Sequence, residues 1–129
     1  MNYEKNSMTK TYFFDSYALF EILKGNKNYE PYTQSNIILT KLNLFEIYYG
    51  LLRDLNEEIA STILEKYSEF AIDFDKDTIE HAAQLRLRHR KQDLSMTDCI
   101  GYVLAQKLGI KFLTGDKEFQ NLENVEFVK

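Results

Sequence analysis

The sequence is poor in the residues that mark whole classes of protein. Cys99 is the single cysteine, so an internal disulfide is excluded. One proline and five glycines in 129 residues are too few for a collagen-like or low-complexity chain. No apolar run approaches the ~20 residues that cross a bilayer, and residues 1–10 are polar, without the hydrophobic centre of a signal peptide. A reducing, cytoplasmic setting with no membrane partner is the expectation. Positive charge is scarce too: 16 Lys and Arg stand against 20 Asp and Glu, a net charge of −4, which excludes binding of nucleic acid through a general positive field. It leaves a nuclease open, because carboxylates that bind divalent cations attract phosphate locally in an acidic chain.

With 44% hydrophobic residues, the chain has the composition of one ordered domain that buries about two-thirds of its unfolded surface. A single domain over 1–129 is expected, with residues 1–9 as a flexible N-terminal extension. Thr11-Tyr12-Phe13-Phe14 is β-prone and stops at Asp15-Ser16, a pair suited to opening a helix over residues 17–23. Residues 24–34 hold Gly25, Asn26, Asn28 and Pro31, which predicts an irregular segment or a short helical turn before the strand Ile37-Ile38-Leu39.

Leu44, Ile47, Tyr48 and Leu51 have helical spacing behind Asn43, which reads as an N-cap. Asn56 caps a further helix with Ala60, Ile63, Leu64 and Tyr67 on one face, and Phe70-Ala71-Ile72 resumes a strand. Asp77 with Glu80 predicts a long helix to about Arg90, with Ile79, Ala82, Ala83 and Leu87 inward. Residues 95–108 predict another, striped by Ile100, Val103, Leu104 and Leu108 and stopped by Gly109. Lys111-Phe112-Leu113-Thr114 and Val125-Glu126-Phe127-Val128 are the last strands, the final one at an edge. Strands separated by helices need crossovers, so the fold class is α/β with a mainly parallel sheet covered on both faces. In such sheets ligands bind beyond the carboxyl ends of the strands, where strand order reverses.

Four acids fall at that kind of place. Asp15 and Asp116 end strands, Glu46 lies in the opening turn of a helix, and Asp98 opens another. Each has a plain structural explanation as a cap, and the spacings Asn43 to Glu46 and Ser95 to Asp98 resemble capping boxes. Capping does not explain four acids on one edge. Two carboxylates about 4 Å apart repel by roughly 4 kcal/mol at an effective dielectric near 20, and a helix N-terminus returns about 0.3–1 kcal/mol per acid. Either they share protons or a hard cation neutralises them, and oxygen-only ligation suits Mg²⁺ or Mn²⁺. Such clusters mostly serve phosphoryl chemistry.

Four segments in order, Phe13-Phe14-Asp15-Ser16, Leu44-Phe45-Glu46-Ile47-Tyr48-Tyr49-Gly50, Met96-Thr97-Asp98-Cys99-Ile100 and Phe112-Leu113-Thr114-Gly115-Asp116-Lys117-Glu118-Phe119, resemble PIN-domain nucleases, especially the VapC-type toxins of toxin–antitoxin pairs. The resemblance spans almost the whole chain. It implies a three-layer α/β/α fold around about five parallel strands. It also implies a metal-dependent endoribonuclease whose Asp15, Glu46, Asp98 and Asp116 coordinate one or two Mg²⁺ or Mn²⁺ ions, leaving a 5′-phosphate and a 3′-hydroxyl. The implied partners are an RNA substrate and a cognate antitoxin. Ser16 and Thr114 would support the carboxylates by hydrogen bonds. Two positions depart from the common pattern: Gly115, where many relatives carry a larger polar residue, and Glu118, where aspartate is frequent and which stands as a candidate outer ligand.

The run Arg86, Arg88, His89, Arg90 and Lys91 either contacts RNA phosphates or complements the end of a helix dipole. His81 and His89 lack metal-pair spacing and are assigned to the surface, and Cys99 to the interior. Tyr48, Tyr49 and Leu52 give one helix more apolar surface than a single face needs, which marks either a homodimer contact or core packing. The competing readings are a catalytically inactive PIN-fold RNA-binding or assembly module and a phosphoacceptor receiver domain. The receiver fits poorly, because Asp15 stands alone before Ser16, and no Asp-x-Asp of the haloacid-dehalogenase kind follows the first strand.

Overall fold

Alternation along two short strands decides the layering. In β1 (Thr11–Phe14) the side chains of Tyr12 and Phe14 enter one apolar cluster and Phe13 enters another; in β3 (Lys111–Thr114), Leu113 joins the first and Phe112 the second. Both faces of the sheet are therefore buried, as a parallel sheet requires. This is a computed structural model describing residues 9–129, so the expected extension over 1–9 lies, apart from Thr9, outside the described residues.

The sheet has the order β2-β1-β3-β4, all parallel, with β2 at Asn36–Ile38 and β4 at Val125–Phe127. Between β1 and β2 run α1 (Ser16–Lys24) and a 3₁₀ segment (Lys27–Gln34); α2 (Lys41–Asp54) and α3 (Glu57–Ser68) follow β2. Tyr29, Leu44, Ile47, Leu51, Ala60 and Tyr67 from these elements complete the first cluster. The opposite face carries α4 (Lys76–Arg88) and α5 (Met96–Leu108), through Ala82, Leu85, Ile100, Val103 and Leu104. The three-layer α/β/α architecture is as the sequence implies. Among the described residues no helix is long and apolar enough to cross a membrane.

Four expectations are corrected. Among the described residues the sheet has four strands rather than about five, because Phe70-Ala71-Ile72 makes only a single parallel bridge, Ala71 to Leu39. The turn leaving α3 takes the Phe70 and Ala71 amides for the Tyr67 and Ser68 carbonyls, which leaves the Phe70 carbonyl and the Ile72 amide to pair with Leu39. α2 starts at Lys41 with Thr40 as N-cap; Asn43 is the third helical residue, in a capping box with Thr40, so Glu46 lies in the second turn. α4 is capped by Asp75 rather than opened by Asp77, and its inward residues are Thr78, Ala82 and Leu85, with Ile79, Ala83 and Leu87 exposed. In α5, Leu108 is exposed, while Cys99 to Ala105 are buried in an unbroken run.

That run brings α5 close to the sheet at Gly101. A Cβ there would stand 2.5 Å from Cε1 of Phe13 and 3.2 Å from Phe112, both wholly buried rings. Gly101→Val is expected to lower stability by about 1–3 kcal/mol through overpacking, since valine has little helix propensity to offset it. Urea unfolding followed by circular dichroism reads the change, and an unchanged midpoint contradicts the close packing.

Candidate functional site

Strand order reverses between β1 and β3: the chain leaves β1 to one side and returns to the other. The crevice beyond their carboxyl ends is where Asp15 and Asp116 stand. The Asp15 amide extends the ladder by donating to the Leu113 carbonyl at 3.2 Å. Its side chain caps α1, with Oδ1 accepting from the Ala18 amide at 2.8 Å. Asp15 is nevertheless only 2% exposed. Burial, with the negative charges of Asp98 and Asp116 added, holds its carboxyl well above the usual range, against the opposing hydrogen bond from Thr114.

Thr114, at the end of β3, is fully buried and serves both strand ends. Its hydroxyl accepts from the Asp116 amide at 3.0 Å and is hydrogen-bonded to the Asp15 carboxyl. Asp116 caps the 3₁₀ turn Lys117–Phe119, Oδ1 accepting from the Glu118 amide at 3.0 Å. Glu118 therefore takes part in the site through its backbone. Gly115 between them has no room for a side chain: a Cβ would lie 2.3 Å from both the Val128 carbonyl oxygen and the Tyr17 ring. A larger residue at this position is excluded by packing.

Asp98 sits in the first turn of α5, where the Ser95 hydroxyl accepts from its amide at 3.0 Å and its carboxyl bonds back to Ser95. Desolvation, assisted by the charges of Asp116 and Glu46, pushes its pKa up to about 6. Glu46 reaches the crevice from α2, where its Oε1 accepts from the Ser16 hydroxyl at 2.5 Å. The Asn43 side chain donates from Nδ2 to the Ser16 hydroxyl at 3.1 Å, and its Oδ1 accepts from the Thr40 backbone amide and hydroxyl at 3.0 and 3.1 Å. Asn43 is 1% exposed, and it joins the cap of α2 to the hydroxyl that holds Glu46. The signal for this role was the Thr40-x-x-Asn43 spacing, which reading Asn43 itself as the N-cap conceals.

The four acids thus share one neighbourhood: Asp98 and Asp116 act on Asp15, and Asp116 and Glu46 act on Asp98. Among the described residues no Lys, Arg or His side chain forms an ion pair with any of them. As placed, no three or more Asp, Glu, His or Cys side chains among the described residues form a ready-made cation cage. Asp15 and Asp116 are each turned onto an amide of their own segment, and Glu46 onto the Ser16 hydroxyl of α1. The donor set nevertheless fits a hard divalent ion in kind: all oxygen, negatively charged and without a competing cation. His81 pairs with Asp77 on the exposed side of α4, and Cys99 is buried.

A sequence model of the PIN domain matches residues 12–125. The chain belongs to the PIN-domain family. No curated protein matches it. This PIN domain is similar in fold to a chain of a toxin–antitoxin complex from Klebsiella pneumoniae, with TM-score 0.68 and 20% identity, covering 88% of this chain and 94% of that one. It is also similar to a chain of VapBC2 from Rickettsia felis bound to a promoter DNA fragment, with TM-score 0.69 and 18% identity, covering 92% and 99%. For FitAcB from Neisseria gonorrhoeae the values are 0.68 and 16%, covering 90% and 96%. At these identities the likeness is one of fold.

The raised carboxyls of this PIN domain fix the sign of its pH response. An acid whose pKa is higher folded than unfolded loses stability as pH rises through that interval. In chelator, stability is therefore expected to fall from about pH 4 through the Asp98 value of about 6 and beyond. Below about pH 4 the opposite sign applies through Asp75, whose carboxyl, bonded to Thr78 and Lys107, is held down to about 2. Asp98→Asn should melt higher than the parent at pH 7 and alike at pH 4, by calorimetry. A variant no more stable at pH 7 contradicts the repulsion.

Proposed function

We propose that this PIN domain is a divalent-metal-dependent endoribonuclease and the toxin of a toxin–antitoxin pair, with Asp15, Glu46, Asp98 and Asp116 as its metal ligands. The observation that carries the reading is the set of four acids at the strand-order reversal, coupled by repulsion through Asp98 and unaccompanied by any ion-paired cation among the described residues. A cation is the partner that such a set lacks. Mg²⁺ or Mn²⁺, when bound, supplies charge for a phosphate oxygen and an acidified water for in-line attack on a phosphodiester. The products expected are a 5′-phosphate and a 3′-hydroxyl.

The protein's own groups prepare the site. Thr114 fixes Asp15 and Asp116 relative to each other, and the Thr40-Asn43-Ser16 relay aims Glu46. Because Asp15 and Asp98 hold protons more tightly than ordinary carboxyls, cation binding near neutral pH releases protons. The basic run supports a polyanionic substrate. Arg86, Arg88, Arg90 and Lys91 are exposed at the end of α4 and in the turn after it, and Gln92 of that turn donates to the Glu118 carbonyl at 3.3 Å. That contact supports a run that meets substrate phosphates on the Asp116 side of the crevice.

An antitoxin partner is supported by the fold's likeness to chains in toxin–antitoxin complexes. It is also supported by an apolar cleft of about 340 Å³ beside α4 and α5, lined by Leu42, Phe74, Ile79, Ala82, Met96 and Ile100. The second reading, an inactive RNA-binding or assembly module, keeps the fold and removes the chemistry.

Cleavage of a single-stranded RNA by the purified protein with Mg²⁺ or Mn²⁺ separates the two. Chelation should stop the reaction, and Asp15→Asn or Asp98→Asn should abolish it while leaving the far-ultraviolet circular dichroism unchanged, since asparagine caps α1 as well as aspartate does and the cap of α5 is Ser95. Ser16→Ala should slow it by about 10–100-fold, the usual effect of removing a group that orients a ligand. Metal-independent cleavage, or full activity in Asp98→Asn, sinks the metal-site reading. Replacing Arg86, Arg88, Arg90 and Lys91 by glutamine should flatten the salt dependence of RNA binding by ~0.7 in log–log slope for each lost phosphate contact. An unchanged slope removes the basic run from the interface.

A further inference from the structure

Phe45 and Tyr49 are large aromatic residues that the fold leaves outside. They are 71% and 56% exposed, against 0–7% for the aromatic side chains of the core. Their rings are nearly parallel, 9° apart with centroids at 6.4 Å. The guanidinium of Arg53 lies over the Tyr49 ring at 5.7 Å, held flat by a two-pronged pair with Asp54 at 2.8 and 2.9 Å. Core packing accounts for the neighbouring Tyr48, which is half-buried against the first cluster, but not for these two.

Their position relative to Glu46 gives them a use. At 3.6 residues per turn, Tyr49 and Phe45 stand about 60° and 100° round the α2 axis from Glu46, both on the same flank. The other flank holds Asn43 and Ile47, which are buried against the sheet. The rings therefore leave the helix on the open side of a proposed ligand, and Arg53, two turns on from Glu46, continues the strip away from the acids. Parallel aromatic faces with a planar cation at the end suit nucleobases, which stack on such surfaces without regard to sequence. Because the Asp54 carboxylate offsets the Arg53 charge, the strip offers faces rather than phosphate attraction.

We infer that Phe45 and Tyr49 form a stacking platform for unpaired bases of a single-stranded RNA flanking the phosphodiester held at the acids. This rests on the nuclease reading of the site. It divides the labour of binding: the run Arg86–Lys91 takes phosphates on the Asp116 side, and the aromatic strip takes bases on the Glu46 side.

The test compares two fluorescent 12-nucleotide probes, an oligouridine and an abasic analogue with the same phosphates, by anisotropy in the Asp15→Asn background. The platform predicts tighter binding of the oligouridine by about tenfold or more, the range for stacking on one or two rings. Phe45→Ala/Tyr49→Ala should remove that difference and leave the salt slope unaltered, and Phe45→Tyr/Tyr49→Phe should restore it. Both variants change exposed side chains, so circular dichroism should match the parent. Equal affinity of the parent for the two probes, or an alanine variant that keeps the preference, overturns the platform. So does an alanine variant that turns a dimer into a monomer in sedimentation while keeping the preference, because the strip is then a contact between copies. Metal-dependent cleavage by the parent is scored separately: cleavage without base preference sinks the platform alone, whereas absence of both cleavage and RNA binding sinks the reading beneath it as well.

Discussion

Burial of the Asp15 carboxyl at the junction of β1 and β3 is the constraint around which the rest of the structure is arranged. A carboxyl at 2% exposure is normally stabilised by a cation or several donors. Here it has the Ala18 amide and the Thr114 hydroxyl, while two further acids act on it unfavourably. Nothing in the packing requires this charge. A serine would cap α1 as well and remove the repulsion. An arrangement that opposes stability, maintained by a buried threonine and a buried asparagine relay, is what a site for an external positive charge looks like from the side of the protein.

The surroundings supply the rigidity that such a site needs. α1 and α5 begin at the crevice and run back over opposite faces of the sheet, so Asp15 and Asp98 are fixed by helices whose far ends are anchored in separate apolar clusters. Gly101 lets α5 lie close enough to Phe13 for this to hold. On the other side, Val128 packs over Gly115 and accepts a hydrogen bond from Tyr29 at 2.6 Å, which ties the end of β4 to the 3₁₀ segment and closes the floor next to Asp15. The positions of the acids thus follow from core packing on both faces, and the acids themselves contribute little to it.

Much of this was legible in the sequence because the informative residues act locally. Asp15, Asn56 and Ser95 cap the helices they precede, Gly25 and Gly109 end helices in the left-handed conformation, and the strands that flank the crevice are marked by β-prone runs ending in Asp15 or Thr114. The errors arose where two local signals competed. Thr40 and Asn43 both make good caps, and only the buried contact of Asn43 with Ser16, 27 residues away, shows which one lies inside the helix. Asp75 and Asp77 compete in the same way for α4. Asp75 wins because Thr78 Oγ1 and Lys107 from α5 join the cap, a tertiary contact that no window of sequence contains.

The aromatic strip was half legible for a related reason. Excess apolar surface on α2 is visible in Tyr48, Tyr49 and Leu52, but which of these is core depends on where α3 packs, and α3 covers the Leu44 and Tyr48 side. That leaves Phe45 and Tyr49 outside, with Glu46 turned inward between them and Asn43. Exposed aromatics are unfavourable in water and are retained where something planar or apolar covers them in use. In α2 both rings lie on one flank of Glu46, so under the proposed nuclease reading a substrate phosphate held at the acids brings its neighbouring bases within reach of that flank. The same helix therefore carries one side chain suited to a metal and two suited to a base, separated by a single turn.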